Sequence, residues 1–280
     1  MTLTSHATGR SRARAVVALL LAGAFVAMGP AAHAADGSID YVEPEDDGSF
    51  QVVFSLPGAG SAEPDFASLA VSLDDVPLPA QAEPADEAAA VERTTILTID
   101  VSKSMRRDNR FTEAKQAAQA FLDAAPADLN IGIVTFAGEV EVAQEPTLDR
   151  AASTQVLDSL VLTNQTRLYD GILEAVGASG TDGSRSLLVL SDGRDTSETP
   201  LDRVIAGIEL AQIKVDVVAL AQGPEDESLL RQLADAGSGS LITADDPETL
   251  TEVFSQEAQD LASQILVTVT PTTPLETTEG

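Results

Sequence analysis

Long apolar runs alternate with amphipathic segments over most of this chain. Four near-continuous runs are typical of strands that are buried on both faces, at residues 94–99, 131–136, 186–190 and 215–221. Segments with the apolar spacing of helices lie between and after them, at residues 110–125, 151–160, 168–177, 201–212, 226–236 and 247–264. This alternation predicts an α/β fold, in which a doubly wound, mostly parallel, Rossmann-like sheet is flanked by helices.

The pattern changes on both sides of this α/β region, which we place at residues 93–264. Within residues 35–80, the stretches 50–56 and 68–73 alternate weakly between apolar and polar residues, and Gly, Pro and acidic residues lie between them. This pattern favours a small β-rich region over a loosely ordered lead-in. Residues 81–92 are rich in Ala, Pro and Glu, which is typical of a linker. Residues 265–280 alternate at first like an exposed strand and then continue as a tail of Thr, Pro and Glu.

The first 34 residues have the composition of a secretory signal peptide. Arg10, Arg12 and Arg14 form a basic leader, an apolar run follows at residues 15–28, and residues 32–34 read Ala-His-Ala, a small-x-small cleavage site. The apolar run is short for a transmembrane helix, and an uncleaved membrane anchor is the alternative. We therefore expect an exported protein that is secreted or held in the cell envelope.

Composition excludes several classes of function. The chain has 16 basic and 45 acidic residues and a formal charge of −29, which becomes −32 once the three leader arginines are removed. Phosphate binding needs a basic surface, so we expect no nucleic acid partner. There is no cysteine, and the only two histidines, His6 and His33, lie in the leader. The mature protein therefore lacks the residues for Ser-His-Asp or Cys-His catalysis and for histidine zinc sites.

Oxygen-bearing side chains follow two of the predicted strands. Asp100, Ser102 and Ser104 alternate directly after the run at 94–99, and Asp192 follows the run at 186–190. Ligands of open parallel sheets bind outside the carboxyl ends of the strands, which is where both acidic residues are expected. Carboxylates and hydroxyls are hard oxygen ligands, so the set favours Mg²⁺ or Mn²⁺ over a soft metal.

Each of these residues also has a structural alternative. Asp100 and the two serines could cap the helix that follows, because Ser and Asp are favoured helix caps. Thr166 could likewise be only the N-cap of the helix at 168–177, with Asp170 completing a capping-box-like start. Asp192 and the glycine after it could be a plain turn. We assign Asp170 and Asp195 to capping or supporting roles and leave both outside the metal set.

Residues 93 to about 264 resemble a von Willebrand factor A-type domain. The metal-ion-dependent adhesion site of that family has the pattern Asp-x-Ser-x-Ser, then Thr, then Asp, and this chain has all five positions in that order. The resemblance implies a metal set of Asp100, Ser102, Ser104, Thr166 and Asp192. The three hydroxyls would bind the ion directly, and the two carboxylates would act mainly through water and hydrogen bonds. It also implies that a Glu or Asp of a partner protein completes the coordination.

These expectations favour an exported, Mg²⁺-dependent protein-binding module of the cell envelope. By analogy with similar exported bacterial proteins, it would act in secretion or pilus assembly. We expect no enzyme, because no nucleophile, histidine base or phosphate-binding loop is evident. A metal-dependent hydrolase and a structural domain with a vacant site are the alternatives.

Membrane association would need the uncleaved leader or a missing C-terminal segment. Arg106, Arg107 and Arg110 either attract an acidic partner to the metal face or form a solvated helix start.

Overall fold

A computed structural model describes residues 37–271 of the chain, except residues 46, 56–65, 67–68, 74–75, 89–90, 193, 221–222 and 245. The predicted signal peptide at residues 1–34 and the tail beyond residue 271 lie outside the described residues. Within them, no helix is both long enough and apolar enough to cross a membrane.

Short strands form the described part of the N-terminal region. They are β1 (Ser38–Pro44), β2 (Phe50–Ser55), β3 (Val71–Leu73), β4 (Val76–Leu78) and β5 (Ala80–Pro84). β1 and β2 pair antiparallel, and β3 and β4 form a separate two-stranded pair. β5 takes up residues that the sequence pattern assigned to the linker at 81–92, so the extended chain there is paired rather than free.

A six-stranded sheet forms the centre of the larger region. Its strands are β6 (Arg93–Asp100), β7 (Leu129–Phe136), β8 (Val140–Thr147), β9 (Ser184–Ser191), β10 (Lys214–Leu220) and β11 (Leu241–Ala244). The strand order is β11-β10-β9-β6-β7-β8, and in this sheet β8 alone runs antiparallel to its neighbour. The predicted α/β class with a mostly parallel sheet is confirmed. Every residue of β6 is buried, as the continuous apolar run implied.

Helices cover both faces of this sheet. They are α1 (Arg110–Ala124), α2 (Arg150–Ser159), α3 (Leu168–Ala178), α4 (Leu201–Ala211), α5 (Pro224–Ala236) and α6 (Leu250–Ala262). Phe121 of α1, Leu157 of α2 and Phe254 of α6 belong to the apolar core on one face. The core on the other face contains residues of α3, α4 and α5, such as Ile172 and Leu233. Two 3₁₀ segments precede α1 and α6, at Lys103–Asn109 and Pro247–Thr249.

The C-terminal strand is buried, and the expectation of an exposed strand is wrong. β12 (Ile265–Val269) lies between β2 and β5 and pairs antiparallel with both. Ile265, Val267 and Val269 pack into one apolar cluster, and Leu266 packs against Val53 in another. Because both faces of β12 contact apolar side chains, the strand is a central element of the N-terminal sheet. The division of the chain into domains at the predicted boundaries stays a prediction.

Candidate metal centre

Asp100 is the last residue of β6 and lies at the carboxyl edge of the sheet, as predicted. Its Oδ1 accepts a hydrogen bond of 2.8 Å from the backbone N–H of Ser102, and its Oδ2 accepts one of 3.0 Å from the hydroxyl of Ser191. The side chain has no exposed surface. Burial, with a smaller contribution from the negative charge of Asp192, raises the pKa of Asp100 to about 6, although the hydrogen bonds from Ser102 and Ser191 lower it.

Ser102 and Ser104 bring their hydroxyls together directly after Asp100. The two Oγ atoms lie 2.6 Å apart in a hydrogen bond in which either can donate. Ser102 is in the N-cap position of the first 3₁₀ segment, yet its side chain makes no capping hydrogen bond. The N-cap of α1 is Asn109, not one of the motif residues. The capping alternative therefore does not account for these two hydroxyls.

Thr166 lies in the loop between α2 and α3, and backbone contacts fix this loop beside the motif. The N–H of Thr163 donates to the carbonyl of Val101 at 2.8 Å, and Thr163 forms an isolated β-bridge with Ser102. The carbonyl of Thr166 accepts from the N–H of Thr196 at 2.8 Å, which ties the loop to the segment after β9. Thr166 is buried, and the N-cap of α3 is Arg167, so Thr166 is not the cap residue.

Gly138, in the turn between β7 and β8, permits this loop to approach closely. A Cβ atom at Gly138 would lie 2.8 Å from the carbonyl oxygen of Asn164 and 3.1 Å from Oε1 of Gln165. Backbone oxygen cannot move away as a flexible side chain can, so any larger residue would push the Thr166 loop outward. The sequence pattern did not identify Gly138, because the close approach arises only in three dimensions.

Asp192 follows β9 and forms an ion pair with Arg110. Nη1 of Arg110 lies 2.8 Å from Oδ2 of Asp192. The side chain of Asp192 is fully buried, and its Oδ1 has no hydrogen-bond partner among the residues that the structure describes. A buried carboxylate oxygen without a partner is costly, and such an atom calls for an explanation. The sequence pattern named Arg110 only as part of a basic cluster and did not predict this pair.

The two acidic residues left outside the metal set have supporting roles. Oδ1 of Asp195 accepts a hydrogen bond of 3.1 Å from the N–H of Tyr169 in the first turn of α3. Asp170 pairs with Nε of Arg167 at 2.8 Å and accepts from the hydroxyl of Thr199 at 2.6 Å. Asp195 thus caps α3 from another loop, and Asp170 fixes the start of that helix.

The donor set fits a hard cation. No group of three or more His, Cys, Asp and Glu side chains is clustered as a metal site anywhere in the described ranges. The candidate site differs from such clusters, because it combines two buried carboxylates with hydroxyl oxygens. No described residue donates to Oδ1 of Asp192, and this is the atom that a cation, or a water bound to one, would satisfy.

Comparison with protein families identifies the same region. Residues 95–194, which include all five candidate residues, match the model described as von Willebrand factor type A domain. A UPF0353 protein of Mycolicibacterium gilvum is 26% identical over 205 residues, covering 61% of this chain and 61% of that protein. A UPF0353 protein of Nocardia farcinica is 27% identical over 203 residues, covering 58% of this chain and 61% of that protein. The matched part is thus about 61% of the length of each relative.

Solved structures share the fold. A von Willebrand factor type A protein from Catenulispora acidiphila superposes with a TM-score of 0.56 at 20% identity, over 76% of this chain and 45% of that one. Proximal thread matrix protein 1 from the mussel byssus, with a zinc-occupied MIDAS motif, superposes with a TM-score of 0.53 at 17% identity. The match covers 61% of this chain and 48% of that one. The vWF domain of the type V pili tip protein Mfa5 from Porphyromonas gingivalis superposes with a TM-score of 0.51 at 14% identity. The match covers 60% of this chain and 94% of that one. At these identities the likeness shows the fold alone.

Proposed function

Because the chain contains a von Willebrand factor A-type domain, we propose that it is an exported protein-binding module that docks a carboxylate of a partner protein through a bound Mg²⁺ or Mn²⁺. The observation that carries this proposal is the buried carboxylate of Asp192, which lies at the same sheet edge as Asp100 and whose Oδ1 has no partner in the described ranges. Two buried carboxylates at one sheet edge favour a cation between or beside them, since burial raises the pKa of Asp100 and the negative charge of Asp192 adds to that rise.

The residues have separate roles in this proposal. Ser102, Ser104 and Thr166 would supply neutral hydroxyl oxygens, while Asp100 and Asp192 would supply negative charge mainly through water. Because the three hydroxyl ligands are neutral, they leave most of the positive charge of the ion uncompensated. The ion would therefore attract and bind the carboxylate of a Glu or Asp of the partner. Hydrogen bonds from Ser102 and Ser191 hold the carboxylate of Asp100 in a fixed orientation, which is how an outer ligand tunes a metal site.

Binding is favoured over catalysis by the chemistry of the chain. After residue 34 the sequence has no histidine and no cysteine, so neither a Ser-His nor a Cys-His pair can form at the site. Export rests on the composition of the first 34 residues. A pili tip protein among the proteins of the same fold supports a role at the cell envelope by analogy only.

Calorimetric titration of the purified protein with Mg²⁺ and Mn²⁺ tests the proposal, first alone and then in excess acetate as a carboxylate mimic. Asp100→Asn and Thr166→Ala should abolish saturable binding. Asp158→Ala, which removes an exposed acid on α2, should leave it unchanged. Loss of binding in the first two variants but not the third supports a site at these residues.

The alternatives give different results. Absence of ion binding with and without acetate, in a folded protein, would leave a structural domain and overturn the proposal. Turnover of p-nitrophenyl phosphate that requires Mg²⁺ and is lost in Asp100→Asn would favour the hydrolase. Acetate should tighten ion binding in a docking site, because each ligand then completes the coordination of the other.

A further inference from the structure

Arg110 reaches into the candidate site from the first position of α1. Its Nη1 contacts Oδ2 of Asp192 at 2.8 Å, and its side chain keeps 13% of its surface exposed while that of Asp192 keeps none. Nη2 lies 3.6 Å from the exposed carboxylate of Asp108. Arg110 therefore places a partly buried positive charge beside a residue of the predicted metal set.

The local chain is shaped for this contact. Asp108 and Asn109 both adopt left-handed backbone conformations, with φ of 48° and 59°, so the chain kinks between the 3₁₀ segment and α1. A cation in the first turn of a helix is unfavourable by itself, because the N-terminus of the helix dipole is positive. The pairing with Asp192, rather than the helix, accounts for a partly buried arginine at this position.

The ion pair is incomplete, however. An arginine and a carboxylate often pair through two parallel hydrogen bonds, whereas here one N–H···O contact joins them. Nε of Arg110 and Oδ1 of Asp192 are both buried, and within the described part of the chain neither has a hydrogen-bond partner. An ion pair with one contact is easier to separate than a bidentate pair. Each residue can then form the hydrogen bond that it lacks with water or with another partner.

We propose that Arg110 is an internal counter-cation of Asp192 and that a divalent ion and the Arg110 side chain are mutually exclusive partners of this carboxylate. The inference rests on the proposed metal site and adds a regulation to it. Without the ion, Arg110 neutralises Asp192 and keeps the two buried carboxylates from facing each other uncompensated. A divalent ion beside the guanidinium would be repelled, so loading of the site displaces Arg110 toward solvent.

Charge removal at Arg110 gives the first test, by calorimetry with Mg²⁺ and Mn²⁺. Arg110→Gln should bind the ion about tenfold more tightly or better, because the competing charge is gone. Arg110→Lys keeps a positive charge and should remain close to the parent. Arg107→Gln removes the same charge from an exposed neighbour and is the matched control. Equal or weaker affinity in Arg110→Gln would overturn the proposal, weaker affinity meaning that Arg110 positions Asp192 for the ion.

Thermal unfolding separates this inference from the proposed function. Without ions, Arg110→Gln should melt at a lower temperature, because it leaves a buried carboxylate unpaired, and Mg²⁺ should raise its melting temperature more than that of the parent. A parent that binds no ion beside an Arg110→Gln variant that does would support the counter-cation. A parent that binds and a variant with the same affinity would overturn the counter-cation alone. No binding by either folded protein would overturn both proposals.

Arginine modification tests the displacement in the parent protein, without any variant. Phenylglyoxal should modify Arg110 slowly without ions and several times faster at saturating Mg²⁺, measured by mass spectrometry of the peptide that contains it. Arg106 and Arg107 are exposed and serve as internal controls, whose modification should not respond to the ion. Unchanged protection of Arg110 at an ion concentration that saturates the site would overturn the exclusion.

Discussion

The hydroxyl of Ser191 donates a hydrogen bond of 3.0 Å to Oδ2 of Asp100, and both residues are fully buried. This bond links the carboxyl ends of β9 and β6, which are neighbours in the sheet. Ser191→Ala should lower the free energy of unfolding by about 1–2 kcal/mol, because a buried carboxylate loses a donor. Urea unfolding measures the loss.

Ser240→Ala is the matched control for this serine, since residue 240 is exposed, and it should change stability by less than about 0.5 kcal/mol. Equal stability of Ser191→Ala and the control would mean that the bond between the two strands contributes nothing measurable.

Gly138→Ala should weaken ion binding at the candidate site, although residue 138 contributes no ligand. Its Cβ would lie 2.8 Å from the carbonyl oxygen of Asn164, so the loop that carries Thr166 must move. We expect the dissociation constant for Mg²⁺ to rise about tenfold, since small displacements of a ligand cost much of its binding energy. Calorimetry measures the change.

Gly177→Ala provides the comparison for a glycine with open surroundings. Gly177 is inside α3, and no atom of the described residues lies within 4 Å of a Cβ built there. This variant should unfold at a slightly higher urea concentration, with a gain of about 0.5–1 kcal/mol, and bind the ion as the parent does. If Gly138→Ala also binds as the parent does, the loop position is not set by this contact.

The sheet and its helices could be predicted from the sequence because their apolar periods are strong. β6, whose eight residues are all buried, and α1, which begins at Arg110, lie within a residue or two of the predicted ranges. The sequence pattern predicted the existence of the C-terminal strand β12, but not its position between two other strands. Its burial depends on pairing with β2 and β5, which are more than 180 residues away in the chain, and no local pattern reports such pairing.

In the candidate site, too, the sequence predicts the local features but not the contacts that depend on the fold. The types and order of its five residues are visible in the sequence, since they follow strands and open a helix. The partners of those residues are not visible. Arg110 is 82 residues from Asp192, and Ser191 is 91 residues from Asp100, so each contact needs the sheet order that brings β6 beside β9.

Arg93 should be among the most sensitive residues to substitution outside the candidate site. Its guanidinium is 2% exposed and donates to both carboxylate oxygens of Asp128, to the carbonyl of Leu261 at 2.8 Å and to Oε1 of Gln264 at 3.1 Å. Arg93→Met leaves these acceptors without a donor and should lower the free energy of unfolding by about 3–5 kcal/mol. Urea unfolding compares it with Arg231→Met, an exposed control. A loss below about 1 kcal/mol would show that water replaces the guanidinium without cost.

Glu257 on α6 should make stability depend on pH. Burial and the charges of Asp216 and Asp260 raise its pKa from 4.5 to about 8, although Lys214 opposes them. Between pH 4.5 and about 8, the folded protein therefore keeps a proton on Glu257 that the unfolded chain releases. The contribution of this proton to stability is fully present below about pH 4.5 and is lost as the pH rises toward 8.

Glu257→Gln removes this titration and should gain stability relative to the parent as the pH rises. Over that range we expect the difference in unfolding free energy to change by about 1–2 kcal/mol, less than the full pKa shift implies, because Glu257 keeps part of its surface exposed. Urea unfolding of both proteins at pH 5, 6, 7 and 8 measures it. Glu252→Gln, an exposed acid on the same helix, controls for the loss of one negative charge. If the difference between the parent and Glu257→Gln stays constant with pH, the carboxyl of Glu257 remains ionised in the folded protein, and the positive charge of Lys214 offsets its burial.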